Sequence, residues 1–177
     1  MAATPNLSSE FCSLLRRARK IAKRNTKYSS EATRKQISDG LQALTGKIAH
    51  TWQVDTSEAM YLGLDVALVA GTGAGKTWTF MGALLADASK TKKIIIVSPL
   101  TELQRDQVKR FKAVGFTAAA VNAATWCPQL RQHQGFSKLM RTPSFTDNVL
   151  CIAIDEAHTI TLWGGDFRKQ FAELERL

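Results

Sequence analysis

The sequence predicts an α/β fold: a parallel sheet with helices on both faces, incomplete, entered through a basic helical N-terminal arm. Three observations predict it. Short runs that are apolar on both faces, at residues 66–70, 94–97 and 149–154, alternate with stretches of helical periodicity, the pattern of a sheet covered on both sides. A glycine-rich segment, residues 70–77, joins a strand to a helix. The last strand run is followed at once by two carboxylates, Asp155 and Glu156.

The elements follow in order. Ser8 or Ser9 caps a helix that runs to about Arg24, with Phe11, Leu14, Leu15 and Ile21 apolar. Residues 25–30 are polar and read as a linker. A second helix, 31–44, places Ile37, Leu41 and Leu44 on one side, weakened by Gly40 and Gly46. Asp55 and Glu58 have the spacing of a capping box and open a short helix to Leu62. Residues 66–70 form a strand, 76–88 a helix and 94–97 the strongest strand. Thr101 with Gln104 caps a helix carrying Leu103, Val108, Phe111 and Val114, which stops at Gly115. Residues 118–121 and 149–154 read as strands, and Trp163, Phe167, Phe171 and Leu174 fall at helical spacing. There is no internal repeat.

Composition narrows the function. The 177 residues are 45% hydrophobic and 22% charged, which is globular rather than disordered. No apolar run approaches the roughly 20 residues a membrane helix needs, so no membrane partner is expected. Cys12, Cys127 and Cys151 have no CxxC spacing, which argues for a reducing compartment and against a disulfide scaffold or a zinc site. The net charge is +9, but residues 1–50 hold 10 Lys/Arg against 3 Asp/Glu while the remainder is nearly balanced. Residues 1–47 are therefore set apart as a basic, mostly helical arm from a domain at 48–177. The densest block, Arg16 to Lys27, reads as a solvated helix, a nucleic-acid or nuclear-import patch, or part of an organelle-targeting segment. The expected location is the nucleus, with mitochondrion or cytoplasm as alternatives.

The segment AGTGAGKT, residues 70–77, has the spacing of a Walker A loop. Gly71, Gly73 and Gly75 let the backbone bend so that successive N–H groups point at one anion. The helix that begins near Lys76 adds its positive end. Lys76 offers an ammonium to the β- and γ-phosphates, and Thr77 a hydroxyl to Mg²⁺. Thr72, Ala74 and Trp78 complete the expected ATP-binding set. Asp155, at the carboxyl end of a strand, can hold Mg²⁺ through water, and Glu156 can orient and deprotonate an attacking water. His158 can link the nucleotide to what lies beyond it. A DE pair alone is usually a solvated loop; with the Walker loop it completes one chemistry.

AGTGAGKT with IDEAH resembles a superfamily 2 helicase with a RecA-like P-loop NTPase core. The run DEAHTITLWGGDFRKQFAEL is similar to the RecQ family of DNA helicases, where a DEAH box leads into an aromatic-rich loop; here that loop carries Trp163, Gly164, Asp166, Phe167 and Arg168. VSPLTELQRDQVKRF resembles the family's motif Ia, and Trp52-Gln53 its adenine-reading element. The resemblance implies the ATP-binding lobe of an ATP-dependent 3′–5′ DNA helicase, with ATP and Mg²⁺ as cofactors and single-stranded DNA or a duplex junction as partner. It implies that Gln53 presents its amide to adenine. Trp163 and Phe167 would stack on unpaired bases, although 163, 167, 171 and 174 also make a packing stripe. Arg168 would couple that loop to a phosphate or carboxylate. Ser98, Gln104, Gln107 and Lys109 would touch the DNA backbone.

The sequence departs from the family in two places. Residues 126–148 show neither a hydrophobic strand nor the family's Pro-Glu motif, and Thr159 stands where Cys is usual. The given sequence ends at Leu177 without a motif III or a second RecA-like lobe, so this chain alone is expected not to unwind DNA, and weak or absent ATP hydrolysis is expected of it. A non-catalytic nucleotide- and nucleic-acid-binding module, or a partner-binding remnant, is the alternative. A kinase or transporter ATPase sharing only the Walker loop is disfavoured by the DEAH box.

Overall fold

A computed structural model describes residues 8–71, 73–98, 101–120 and 138–155. In chain order it holds α1 (Ser9–Asn25), α2 (Ser30–Thr45), α3 (Thr51–Tyr61), α4 (Lys76–Leu85), β1 (Lys93–Val97), α5 (Thr101–Ala113), a short α6 (Pro143–Thr146) and β2 (Val149–Ile154). The chain forms two compact units, Met1–Ile94 and Ile95–Leu177. Residues 1–47 thus fall in the same unit as 48–94. Among the described residues no helix is long and apolar enough to cross a membrane.

In the first unit α1 begins where Ser8 Oγ accepts a hydrogen bond from Phe11 N (3.1 Å), so Ser8 and not Ser9 is the cap. Helix α2 begins at Ser29, whose hydroxyl accepts from Ala32 N, and ends at Gly46 in the left-handed region. Ile37, Leu41, Met81 and Ala83 form its core with α4, each at most 1% exposed. Gly40 weakens α2 as a helix former but belongs to this packing: a Cβ there would stand 2.9 Å from Leu85 Cδ1. Ser57 Oγ, fully buried on α3, lies 2.7 Å from Gln53 O and 3.0 Å from Thr79 O on α4, and shares its one proton between the two carbonyls.

Helix α3 starts earlier than expected. His50 N donates to Gln53 Oε1 (2.9 Å) ahead of the first turn, and Asp55 and Glu58 lie inside the helix rather than at its start. They are held by arginines instead. The Glu58 carboxylate, 0% exposed, accepts from Arg19 Nε (3.0 Å), Arg19 Nη2 (2.5 Å), Tyr28 Oη (2.6 Å), Ser30 Oγ (2.5 Å) and Arg34 Nη1 (3.0 Å). Asp55 pairs with the same two arginines. Burial pushes the Glu58 carboxyl up, but the donors from Arg19, Ser30, Tyr28 and Arg34 outweigh it and hold it below the ordinary range. The Tyr28 hydroxyl is pushed well above its usual value, first by burial and then by its bond to Glu58. Helices α1, α2 and α3 thus converge on one carboxylate.

Two more expectations shift in this unit. Residues 66–70 are not laddered as a strand, although their exposure still alternates residue by residue from 64 to 70, as in extended chain. A strand run specifies an extended backbone, but the ladder needs a paired neighbour, and none pairs there among the described residues. Helix α4 ends at Leu85 and not at 88, because Asp87 organises the next loop. Its carboxylate accepts from Ser89 N (3.1 Å), Ser89 Oγ (2.6 Å), Thr91 N (2.9 Å) and Lys92 N (2.9 Å). Burial raises the Asp87 carboxyl, but these donors lower it further, and the net direction is down.

In the second unit β1 and β2 pair. Asp155 N donates to Val97 O (2.9 Å), so the carboxyl ends of the two strands lie side by side and the strands run parallel. This is the expected arrangement in part: an incomplete RecA-like α/β fold. Helix α5 stops before Gly115, which has φ +89°, and Phe111 packs edge-on against Phe116 with centroids 6.0 Å apart. Residues 116–120 are not a strand, and Val121 lies outside the described residues. The described part of 126–148 holds α6 and no strand. Cys12 is exposed on α1, whereas Cys151 is half-buried in β2 with its thiol pushed up by burial.

Glu58→Ala leaves Arg19 and Arg34 facing each other without their shared carboxylate. Removing one partner of a fully buried pair costs about 3–5 kcal/mol, but the two guanidinium side chains are 30% and 29% exposed, so a loss of about 2–3 kcal/mol is expected in urea unfolding. Glu58 and Asp87 both have depressed values in the folded chain. Their contribution is complete above the unfolded carboxyl range, roughly pH 4 to 4.5, and is lost as pH falls through the lower folded values. An acid titration of unfolding should show this loss, and Glu58→Ala should flatten it.

Candidate active site

The glycine-rich loop has the geometry its spacing requires. Gly73 has φ +79° and Gly75 φ +87°, both in the region that side chains avoid. Ala74 N donates to Gly71 O (3.2 Å) and Trp78 N to Gly75 O (3.1 Å), so the loop is a tight turn feeding directly into α4. Gly75 is the N-cap of that helix, whose first-turn N–H groups have no partners within the helix. Lys76 begins the helix, and its Nζ donates to Ala70 O (2.9 Å) across the base of the loop. Thr77 is half-buried beside it.

Gln53 fastens this loop to α3. Its side chain is 5% exposed. Nε2 donates to Gly75 O (3.2 Å) and reaches Ala74 O (3.4 Å), while Oε1 accepts from His50 N (2.9 Å). A Cβ at Gly75 would stand 2.7 Å from that Nε2 and 2.8 Å from Trp78 Cδ1, whereas a Cβ at Gly73 would meet nothing. Next to Gln53 is a cavity of about 150 Å³, lined by Leu41, Thr45, Ile48, His50, Gly73 and Trp78 among others. Trp52 itself is core, 4% exposed, with its ring parallel to His50.

In the second unit the acidic strand end is equally tied down. Asp155 follows β2 directly, and its Oδ2 accepts from Gln107 Nε2 on α5 (2.6 Å). Gln104 Nε2, one turn earlier, donates to Ser98 O (2.8 Å) just beyond β1. Ser98 is 6% exposed, and its hydroxyl has no hydrogen-bond partner among the described residues.

A strand-end carboxylate and a glycine loop capping a helix are parts of a nucleotide-driven core, and sequence comparison agrees. The family model described as DEAD/DEAH box helicase matches residues 50–177. The chain belongs to the DEAD/DEAH box helicase family. Over 139 residues it is 33% identical to an ATP-dependent DNA helicase RecQ of Haemophilus influenzae, covering 69% of this chain and 22% of that protein. It is 30% identical to a probable ATP-dependent DNA helicase RecS of Bacillus subtilis (71% and 28% covered). It is 28% identical to the ATP-dependent helicase SGS1 of Saccharomyces cerevisiae (70% and 10%). The chain spans less than a third of the length of these relatives, and its likeness to them is that of an N-terminal helicase lobe.

Seen as a helicase-family lobe, the expected site residues sort as follows. Gly71, Gly73, Ala74, Gly75, Lys76, Thr77 and Trp78 lie together at the start of α4, with Gln53 against them. Thr72 lies outside the described residues, as do Glu156, His158, Trp163, Phe167 and Arg168. Gln53 differs from its expected role: its amide is committed to His50 N and to the loop carbonyls rather than held out toward a base. Ser98 and Gln107 also differ, because both are buried rather than laid out on a DNA-facing surface. The reason is helical phase: Gln104, Gln107 and Phe111 share the inward stripe of α5, and Arg105, Lys109, Arg110 and Lys112 face water. The expectation missed Gln107 as the partner of Asp155, a role that its i,i+4 relation to Phe111 would have suggested.

Thr77 lies in the first unit and Asp155 in the second. Their hydroxyl and carboxylate oxygens are hard donors of the kind Mg²⁺ takes, and among the described residues no cluster of three His, Cys, Asp or Glu offers another metal site.

Gly75→Ala and Gly73→Ala should separate two effects. Both force a side chain into positive φ, at about 1 kcal/mol or somewhat more. Gly75→Ala also drives Cβ into Gln53 and Trp78, so it should lower the thermal midpoint more than Gly73→Ala by several degrees. Equal midpoints would show that the Gln53 contact does not hold the loop.

Proposed function

We propose that this chain is the ATP-binding lobe of a RecQ-like, ATP-dependent 3′–5′ DNA helicase, binding Mg-ATP and DNA without unwinding by itself. The observation that carries the reading is the loop at the start of α4: two glycines at positive φ, Lys76 opening the helix and Gln53 bracing the turn. The names of the relatives, which call them ATP-dependent DNA helicases, support the extension to ATP and DNA.

The chain's own groups divide the work. The backbone N–H groups of residues 73–77 and the N-terminus of α4 bind the phosphate tail. The ammonium of Lys76 exchanges Ala70 O for phosphate oxygens. Thr77 and Asp155 would hold Mg²⁺, which when bound neutralises charge on the β- and γ-phosphates. Gln107 fixes the rotamer of the Asp155 carboxylate by holding Oδ2. Glu156 takes the place of the residue that orients and deprotonates water. A single lobe has no second surface to close across the nucleotide, so motor action is not expected of it. The nucleus is the proposed location, resting only on the basic block before Lys27.

The test is fluorescent-nucleotide binding and phosphate release with and without single-stranded DNA. Nucleotide binding that requires Mg²⁺ and falls at least about tenfold in Lys76→Ala is expected, since loss of one charge-assisted phosphate contact is worth at least about 1.4 kcal/mol. DNA binding indifferent to nucleotide and to Lys76→Ala would favour the non-catalytic module instead. Strand separation by the 177-residue chain would contradict the single-lobe reading.

Gln107→Ala should leave Asp155 without its 2.6 Å donor. The Mg²⁺ concentration for half-maximal nucleotide binding is expected to rise about three- to tenfold, a size in keeping with loss of a hydrogen bond to a charged group. An unchanged Mg²⁺ dependence would remove Gln107 from the site.

A further inference from the structure

The N-terminal helix offers a surface that neither the helicase motifs nor the nucleotide loop uses. Around α1 the residues sort cleanly by exposure. Phe11, Leu15, Ala18, Arg19 and Ala22 are buried or half-buried, and they fall on one side of a helix that advances about 100° per residue. Arg16, Arg17, Lys20, Lys23 and Arg24 are all exposed and fall on the opposite side and its flank. Arg19 is the exception that defines the division: it turns inward and is consumed by Glu58 and Asp55.

The outer five cations have no counterion of their own. None of them makes an ion pair among the described residues, and no Asp or Glu occurs between Cys12 and Lys27. Asp55 and Glu58 are already engaged by Arg19 and Arg34. The five also repel one another. Lys20 stands at i,i+3 or i,i+4 from Arg16, Arg17, Lys23 and Arg24, a spacing at which like charges destabilise a helix. Lys23 and Arg24 gain something from the C-terminal end of the helix dipole; Arg16, Arg17 and Lys20, further back, do not. A bound polyanion would relieve this repulsion.

The chemistry selects the partner. A helix that lies on a membrane buries its apolar face among lipids, and the apolar side of α1 is instead turned into its own unit around Leu15, which is 3% exposed. What remains outward is a row of ammonium and guanidinium groups on a rigid helix, fit for a phosphodiester backbone and indifferent to base sequence. We propose that the outer face of α1 is a nucleic-acid phosphate-binding surface, independent of the nucleotide site.

The experiment is binding of the full chain to a labelled oligonucleotide of mixed sequence, without ATP, across about 50 to 200 mM salt. Each lost single-strand phosphate contact makes the slope of log K against log salt shallower by about 0.7. Replacing Arg16, Arg17, Lys20, Lys23 and Arg24 together by Gln should flatten the slope by about 2 or more and weaken binding at least about tenfold at the lowest salt. The thermal midpoint should stay equal or rise, because repulsion is removed. If that variant fails to fold, Arg17→Gln with Lys20→Gln carries the test, with a slope shallower by about 1. An unchanged slope in a folded variant overturns the proposal. So does equal or tighter binding to phosphatidylserine vesicles, lost with the same substitutions, which would assign the face to membranes. Because no nucleotide is present, failure here leaves the ATP-site reading standing, and failure of that reading leaves this one standing.

Discussion

The first unit depends on one buried carboxylate. Glu58 draws donors from α1, from the start of α2 and from within α2, and fixes all of them on α3. Without it, three basic or polar helix faces would meet in a partly dry space with only Asp55 to answer two guanidinium groups. Helix α3 then passes that order on. One turn before Glu58, Gln53 holds the carbonyls of the glycine loop, and Ser57 ties the same helix to α4. The loop is therefore positioned from behind by an element that is itself positioned by the N-terminal helices. Residues that composition alone marks as a basic arm take part in the architecture behind the phosphate loop.

A smaller version of the same logic governs the second unit. Two parallel strands end side by side, and a helix between them in sequence returns a glutamine to the strand-end carboxylate. A carboxylate meant for a metal has to be held in one rotamer before the metal arrives, and a neutral amide does this without competing for charge. Gln107 suits that task better than a lysine would, since an ammonium there would offset the negative charge on which a cation depends.

Legibility followed the range of the interactions. Strands β1 and β2 were readable because continuous apolar runs bounded by polar residues are a local signal, and the Walker loop because its spacing encodes its own backbone angles at Gly73 and Gly75. The run at 66–70 was readable as extended chain but not as a laddered strand, because laddering belongs to the partner. The Glu58 centre was not readable. Its partners Arg19 and Tyr28 stand 39 and 30 residues away in sequence, and the local pattern Asp-x-x-Glu pointed to a cap instead. Gln107 was misplaced for a related reason: a polar residue on a helix with few apolar positions was assigned to the surface, when the inward stripe was set by Phe111.

The contrast between two thiols has a practical consequence. Cys151 is held protonated and half-covered within β2, so it is a poor nucleophile toward alkylating reagents. Cys12 stands open to solvent on α1, one helical turn before Arg16. A fluorophore joined to that sulfur would sit beside the row of cations and respond when an anion settles on them, without altering any residue of the phosphate loop.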